Sequence, residues 1–296
     1  MEGDTQKLYS VGSVAKDTGI RQDTIRIWER RYGRPTPVRL ESGHRRFTYE
    51  QLLWLRQVAA GLSLGHRPSK LLKLSIEELQ ALLEDHSPGQ ENEGLQPLLK
   101  AIEAFDSDAL RNLLESAQRQ MGLLQWLTEV IAPLLHKIGI NWAEGHFSIH
   151  HEHFASNFIM GHLQAELRQM SVPQSPETVL LATLPNERHA LGLFMAAGVL
   201  ASHGFPLKIL GSDLPMDELL GAQQKTGAKT VAISVSSSGG GPSTDRELEF
   251  LRGQIPENCT LLVGGAGAKG NRRGIRGIQY LGDLVELDQW CQTANR

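Results

Sequence analysis

Four histidines, two glutamates and a tryptophan fall within seventeen residues, Asn141 to Asn157, NWAEGHFSIHHEHFASN. His146, His150 and His153 recur at i, i+4 and i+7, one stripe of a helix if the segment is continuous, and such a stripe could hold a metal ion. Gly145 and Ser148 argue for a break instead: the serine is a plausible N-cap, which puts AEGHF in a loop. A second group is Glu187-Arg188-His189-Ala190-Leu191-Gly192. A histidine there can ligate a metal while the carboxylate two residues earlier fixes its tautomer, and Gly192 lets backbone approach closely. An ordinary surface histidine fits the same spacing, so both readings stand at this point. A third group is basic. Thr24 and Arg26 point outward from a helix that begins near Arg21 and runs into Arg30 and Arg31, and GHRRF follows at 43–47. Arginine and threonine on a helix, with a basic loop beside it, suit base edges and phosphates of duplex DNA. Gly265-x-Gly267-x-x-Gly270 is formally a dinucleotide fingerprint, but it follows a fourth strand and not the first, where a dinucleotide fold places its phosphate turn. SSSGGG at 236–241 lacks the lysine of a phosphate loop.

These groups need elements to hold them. The 296 residues suffice for two or three cores, and 40% apolar with 21% charged residues is ordinary for a globular chain. No run approaches the roughly 18–20 apolar residues of a membrane span, and MEGDTQKLYS lacks the apolar stretch of a signal peptide. Two distant cysteines, Cys259 and Cys291, exclude a disulfide scaffold and a cysteine-rich zinc site. The expected location is the cytoplasm, with no membrane partner. The net charge of -3 is unevenly spread: residues 1–56 hold eleven Lys/Arg against seven Asp/Glu, leaving nineteen against twenty-six for the rest. A basic head on an acidic body suits an anionic partner at the head.

VGSVAKDTGIRQDTIRIWERRYG reads as two short helices around a turn at Gly19. EDHSPGQENEG, 84–94, reads as a linker. Residues 95–171 read as helices, in the runs LQPLLKAIEAFDSDALRNLLESAQ, LLQWLTEVIAPLLHKIGINWAEG and SIHHEHFASNFIMGHLQAELRQM. After SVPQSPE, apolar runs at 179–184, 207–210, 230–236, 260–265 and 278–282 alternate with helical patterns. That alternation predicts a parallel, doubly wound sheet with its ligand at the carboxyl ends of the strands. The fold class is therefore multidomain, α and α/β. A winged helix-turn-helix (1–83) and the linker (84–94) precede a four-helix bundle (95–173) and a flavodoxin-like, Rossmann-type parallel sheet (174–296).

The ordered string TIRIWERRYG…GHRRF resembles the DNA-binding domain of MerR-family transcription regulators over about seventy residues from Tyr9. The resemblance implies a small core built on Trp28 and Tyr32, with Arg21, Thr24, Arg26, Arg30, Arg45 and Arg46 toward double-stranded operator DNA. Arg21 stands where family members often place a Ser or Thr cap. The spacing E-x-H-x-x-G resembles the cobalamin-binding signature. By that resemblance His189 would bind cobalt from below, assisted by Glu187 and Gly192. Ser234 and Ser236 would match S-x-L with Ser in place of Leu, and Gly264 and Gly265 the paired glycines. Trp142 with Glu152-His153 reads W-x9-E-H. That pattern resembles the light-sensing, B12-dependent MerR-type regulators, the CarH/CarA/LitR group, where these residues surround the 5′-deoxyadenosyl group of adenosylcobalamin. The resemblance implies a regulator and not an enzyme, most often a repressor that holds DNA in the dark as a homo-oligomer, typically a tetramer, and releases it on photolysis. His146, His150 and His151 are candidates for the upper cobalt position afterwards. A light-independent regulator sensing cobalamin or a protein partner is the alternative, and a B12-dependent enzyme subunit a more distant one.

Overall fold

The structure is a computed structural model that describes residues 7–63, 66–84, 93–170, 175, 177–236, 241–268 and 274–294. The expected linker lies largely outside these residues, as do Gly270 and most of SSSGGG. The chain forms two compact units, Met1–Leu62 with His66–Phe105 and Leu134–His153, and Ser63–Gly65 with Asp106–Pro133 and Phe154–Arg296.

In the first unit, helices Val11–Thr18 and Gln22–Tyr32 meet at Gly19, which adopts φ +70° and ends the first of them. Ser10 caps that helix, its Oγ accepting from Ser13 N at 3.0 Å. Strands β1 (Tyr9–Ser10), β2 (Val38–Arg39) and β3 (Arg45–Phe47) form an antiparallel sheet in the order β1-β3-β2. The basic segment at 43–47 is thus a turn and a strand: Gly43 N donates to Leu40 O, and Arg45–Phe47 pairs on both edges. Val14, Ile25, Trp28, Phe47, Leu52 and Leu55 share one core, with Tyr32 packed on its margin. Helix Tyr49–Ser63 crosses this core, and Ser75 and Glu78 form a reciprocal capping box at Ile76–Glu84.

Four helical stretches follow: Gln96–Glu103, Ser107–Met121, a run from Leu123 to Glu144, and Ile149–Gln169. Three details refine the sequence expectation. The first apolar run is two helices, because Phe105 takes φ +54° and Asp106 caps a new start, accepting from Ala109 N at 2.9 Å. Within the third stretch, Leu127–Ile131 is a π turn just ahead of Pro133. Proline has no N–H and crowds the carbonyl four residues back, and widening the preceding turn accommodates it. That helix also runs through Trp142 to Glu144 before Gly145, at φ +83°, ends it.

The second unit is built on β4 (Val179–Ala182), β5 (Leu207–Gly211), β6 (Thr230–Ser234), β7 (Thr260–Gly264) and β8 (Ile278–Leu281). All pairings are parallel, in the order β5-β4-β6-β7-β8. Residues 179–182 are buried on both faces, which is why these strands read as continuous apolar runs and not as alternation. From β4 the chain goes outward to β5 and then back across to β6. The topological switch point lies between β4 and β6, and the loops after those strands flank it.

Candidate functional site

The loop after β4 carries Glu187, Arg188 and His189. It is held from below: Thr183 Oγ1 donates to Glu187 O (2.6 Å) and accepts from Asp213 N (2.9 Å), while Asp213 Oδ1 accepts from Asn186 N (2.7 Å). Asn186 and Asp213 adopt φ +65° and +56°, the left-handed region that short polar side chains tolerate. In the sequence this clamp shows only as the Asn and Asp of PNERH and GSDLP.

The Glu187 carboxylate, 6% exposed, collects four donors. Oε1 accepts from His189 N (3.0 Å) and Nδ1 (2.7 Å); Oε2 accepts from Ser236 N (3.1 Å) and Oγ (2.5 Å). Burial alone would raise its pKa, but these hydrogen bonds from His189 and Ser236 outweigh it and hold the carboxyl below its ordinary value. An ionised Glu187 accepting from Nδ1–H fixes the histidine tautomer and leaves the ring's lone pair on Nε2, the nitrogen suited to ligation. The His189 side chain is 65% exposed. Ser236, predicted as the variant residue of an S-x-L pair, is therefore part of the histidine's support.

Small residues shape the floor. A Cβ on Gly192 would lie 3.2 Å from Ser234 Oγ, so the start of helix Leu191–Ser202 approaches the end of β6 closely. Gly265 has φ +102°, and a side chain there would strike the Val235 carbonyl. Gly267 is more restrictive, since its Cβ would overlap the Ser236 carbonyl. The local sequence does not mark that second requirement, since Gly267 stands there only as part of a formal dinucleotide fingerprint. Gly264 has room, its Cβ position being 3.6 Å from Leu281 O.

Trp142, Glu152 and His153 belong to the first unit. Trp142 is half-buried in the last turn of helix Ala132–Glu144, and Glu152 and His153 lie in the first turn of Ile149–Gln169. Glu152 Oε2 is 2.7 Å from His153 Nδ1. Ser148 N donates to His151 Nδ1 (3.1 Å), tying that imidazole to the helix start. Burial, followed by repulsion from His150, lowers the His151 pKa. His146 sits in the connection with its Nδ1 3.2 Å from Glu144, so the i, i+4, i+7 stripe is broken. Among the described residues no cluster of three or more His, Cys, Asp or Glu could hold a metal ion.

At the head, Arg21, Arg26 and Arg30 are exposed on or just before helix Gln22–Tyr32, with Thr24 partly so. Arg26 pairs with Asp23 at 3.0 Å. Arg21 precedes the first turn, where it offers no acceptor and no side-chain cap forms. The two wing arginines differ. Arg45, partly exposed, lies on the same face of β3 as buried Phe47, and its Nε lies 2.5 Å from Glu29 Oε2; Arg39 reaches Oε1 at 2.8 Å. Despite partial burial, these two arginines hold the Glu29 pKa below its ordinary value. Arg46 is on the other face of the strand.

Residues 9–84 match the model for MerR HTH family regulatory proteins. The chain belongs to the MerR family. Residues 95–165 and 177–285 each match a B12 binding domain, so this MerR-family regulator carries B12-binding domains behind its head. It is 28% identical to the HTH-type transcriptional repressor CarH of Myxococcus xanthus, over 90% of this chain and 92% of that one. To CarA of the same organism it is also 28% identical, over 96% and 97%. The structure of Methanosarcina barkeri monomethylamine corrinoid protein matches with TM-score 0.54 at 15% identity, covering 69% of this chain and 100% of that one, a likeness of fold. A MerR head and transcriptional repressors as relatives make the chain a regulator and not an enzyme. The residues after β4, β6 and β7 fit a corrinoid: an imidazole with its tautomer fixed, and a floor where glycine and serine leave room.

Proposed function

We propose that the chain is an adenosylcobalamin-dependent, light-responsive transcriptional repressor. It acts in the cytoplasm and holds operator DNA in the dark as a homo-oligomer, a tetramer by analogy. The observation that carries the cofactor reading is the Glu187 carboxylate, which collects four donors and through Oε1 fixes His189 in one tautomer. Glu187, His189, Gly192, Ser234, Ser236, Gly264 and Gly265 would hold the corrinoid, His189 offering Nε2 as a ligand to its metal. Trp142 gives the adenosyl group an apolar wall, and Glu152 and His153 hydrogen-bond its hydroxyls and base. When bound, the cofactor supplies a cobalt–carbon bond that light can cleave. Residues 1–83 form the DNA-binding domain, 84–94 the linker, 95–173 the helical cap and 174–296 the corrinoid domain. In the head, Arg21, Thr24, Arg26, Arg30, Arg45 and Arg46 face DNA, with Arg45 braced by Glu29.

The test pairs absorbance spectra of the protein with adenosylcobalamin, before and after green light, with operator gel shifts. The expected outcome is co-elution of corrinoid, retardation only with cofactor in the dark, and release after illumination. A chain that elutes without corrinoid refutes the cofactor reading. Retardation that needs cofactor but is unchanged by light favours a light-independent cobalamin sensor.

A further inference from the structure

A buried arginine outside the residues assigned above joins three elements of the first unit. Arg56, 4% exposed, lies in the middle of helix Tyr49–Ser63. Its Nε and Nη2 donate to Asp17 Oδ1 (2.7 Å) and Oδ2 (2.9 Å), a two-pronged bond to the last turn of helix Val11–Thr18. Its Nη1 donates to the carbonyls of Trp142 (3.1 Å) and Phe147 (3.2 Å), and the guanidinium carbon is 5.4 Å from the centre of the Trp142 ring. Gly145 brings the same helix close: a Cβ there would lie 2.6 Å from Leu53 Cδ2 and 3.0 Å from Tyr49 Oη.

A guanidinium taken out of water is tolerated only when its donors are paired. One edge of this fork is neutralised by Asp17. The other serves carbonyls at and beyond the C-terminal end of helix Ala132–Glu144, where the helix dipole favours a cation; the Trp142 carbonyl also accepts from Gly145 N at 3.2 Å. Losing Asp17 leaves a buried cation on neutral carbonyls, and moving the Trp142 helix end strands Nη1. One side chain thus requires the first DNA-binding helix and the Trp142 helix end to keep their places together.

We propose that Arg56 is a positioning residue that couples Trp142 to the DNA-binding head. A ligand against the indole and the placement of the helix-turn-helix bias each other through this guanidinium. By linkage, operator DNA on the head shifts affinity at Trp142 by the same factor. Only the identity of the ligand, adenosylcobalamin, rests on the function proposed above.

Hydrogen exchange on the full chain, without cofactor and with adenosylcobalamin in the dark, tests the coupling in wild type, Arg56→Met and Asp17→Asn. Without cofactor, Arg56→Met is expected to accelerate exchange about tenfold or more in both Val11–Thr18 and residues 142–148, and Asp17→Asn less, but again in both. In wild type the cofactor changes exchange in Val11–Thr18. In the variants that response falls at least about threefold, although absorbance shows corrinoid still bound. Loosening confined to one segment, or an undiminished response in both variants, overturns the proposal. If Arg56→Met does not fold, Asp17→Asn carries both comparisons. A wild-type chain that takes up no corrinoid refutes the functional reading, and the cofactor-free comparison then decides the coupling on its own.

Discussion

Glu187 shows how one carboxylate organises a ligand site. It has four donors and is nearly out of water, so its charge is required by its neighbours as much as His189 requires it. Glu187→Gln keeps the volume but turns an acceptor oxygen into a donor that faces donors. Corrinoid retention is expected to fall about 10–100-fold, the usual cost of losing a ligand's supporting carboxylate, as measured by absorbance of the co-eluting protein. His189→Ala should weaken retention at least as much. The pH dependence has a definite sign. Because the folded pKa lies below the ordinary 4.5, Glu187 contributes stability that is fully present above pH 4.5 and lost as pH falls through its folded value. Thermal melts of wild type against Glu187→Gln should therefore converge in acid. Glu187, His189 and Gly192 were legible in sequence because their spacing is local. Gly267 was not, because its constraint comes from the Ser236 carbonyl, more than thirty residues away.

At the scale of elements, the three central strands β4, β6 and β7 were legible because they are buried on both faces, and their apolar runs stand out between polar turns. Helix interruptions were harder to read. Phe105 and the π turn before Pro133 lie inside unbroken apolar periodicity, and periodicity does not report how a turn widens. The wing was legible as charge but not as division of labour. Arg45 braces Glu29 while Arg46, also half-buried, lies on the opposite face of the strand. Arg45→Ala is expected to cost about 1 kcal/mol of head stability in denaturant melts, more than Arg46→Ala. Arg46→Ala should instead weaken operator binding and reduce the salt slope by about one. A further element-level consequence lies at His162, whose Nε2 is buried and finds no hydrogen-bond partner among the described residues, and whose ring is 5.5 Å from that of Trp126. Burial lowers its pKa below 6.5, so the folded chain binds fewer protons than the unfolded one just below that pH. Stability should decline as pH falls from 6.5, by at most about 1.4 kcal/mol per unit for this one proton, and His162→Leu should flatten the decline.

At the scale of the whole molecule, a head with eleven Lys/Arg against seven Asp/Glu sits on a chain that is otherwise acidic. A single head of this kind binds DNA mainly through phosphates, so assembly of several heads on one operator is an economical means of control. Loss of assembly alone can lower apparent affinity about 100-fold, with no change in any head. The coupling through Arg56 predicts a second and smaller effect within each head. DNA carrying a single half-site separates the two, because it gains nothing from several heads. Gel shifts on the full operator should lose about 100-fold or more in affinity after green light, in step with a fall in mass by light scattering. On half-site DNA the loss should be only a few-fold, and Asp17→Asn should reduce that remainder while leaving the full-operator loss in place. Equal losses on both DNAs would mean that the head itself, and not assembly, carries the signal.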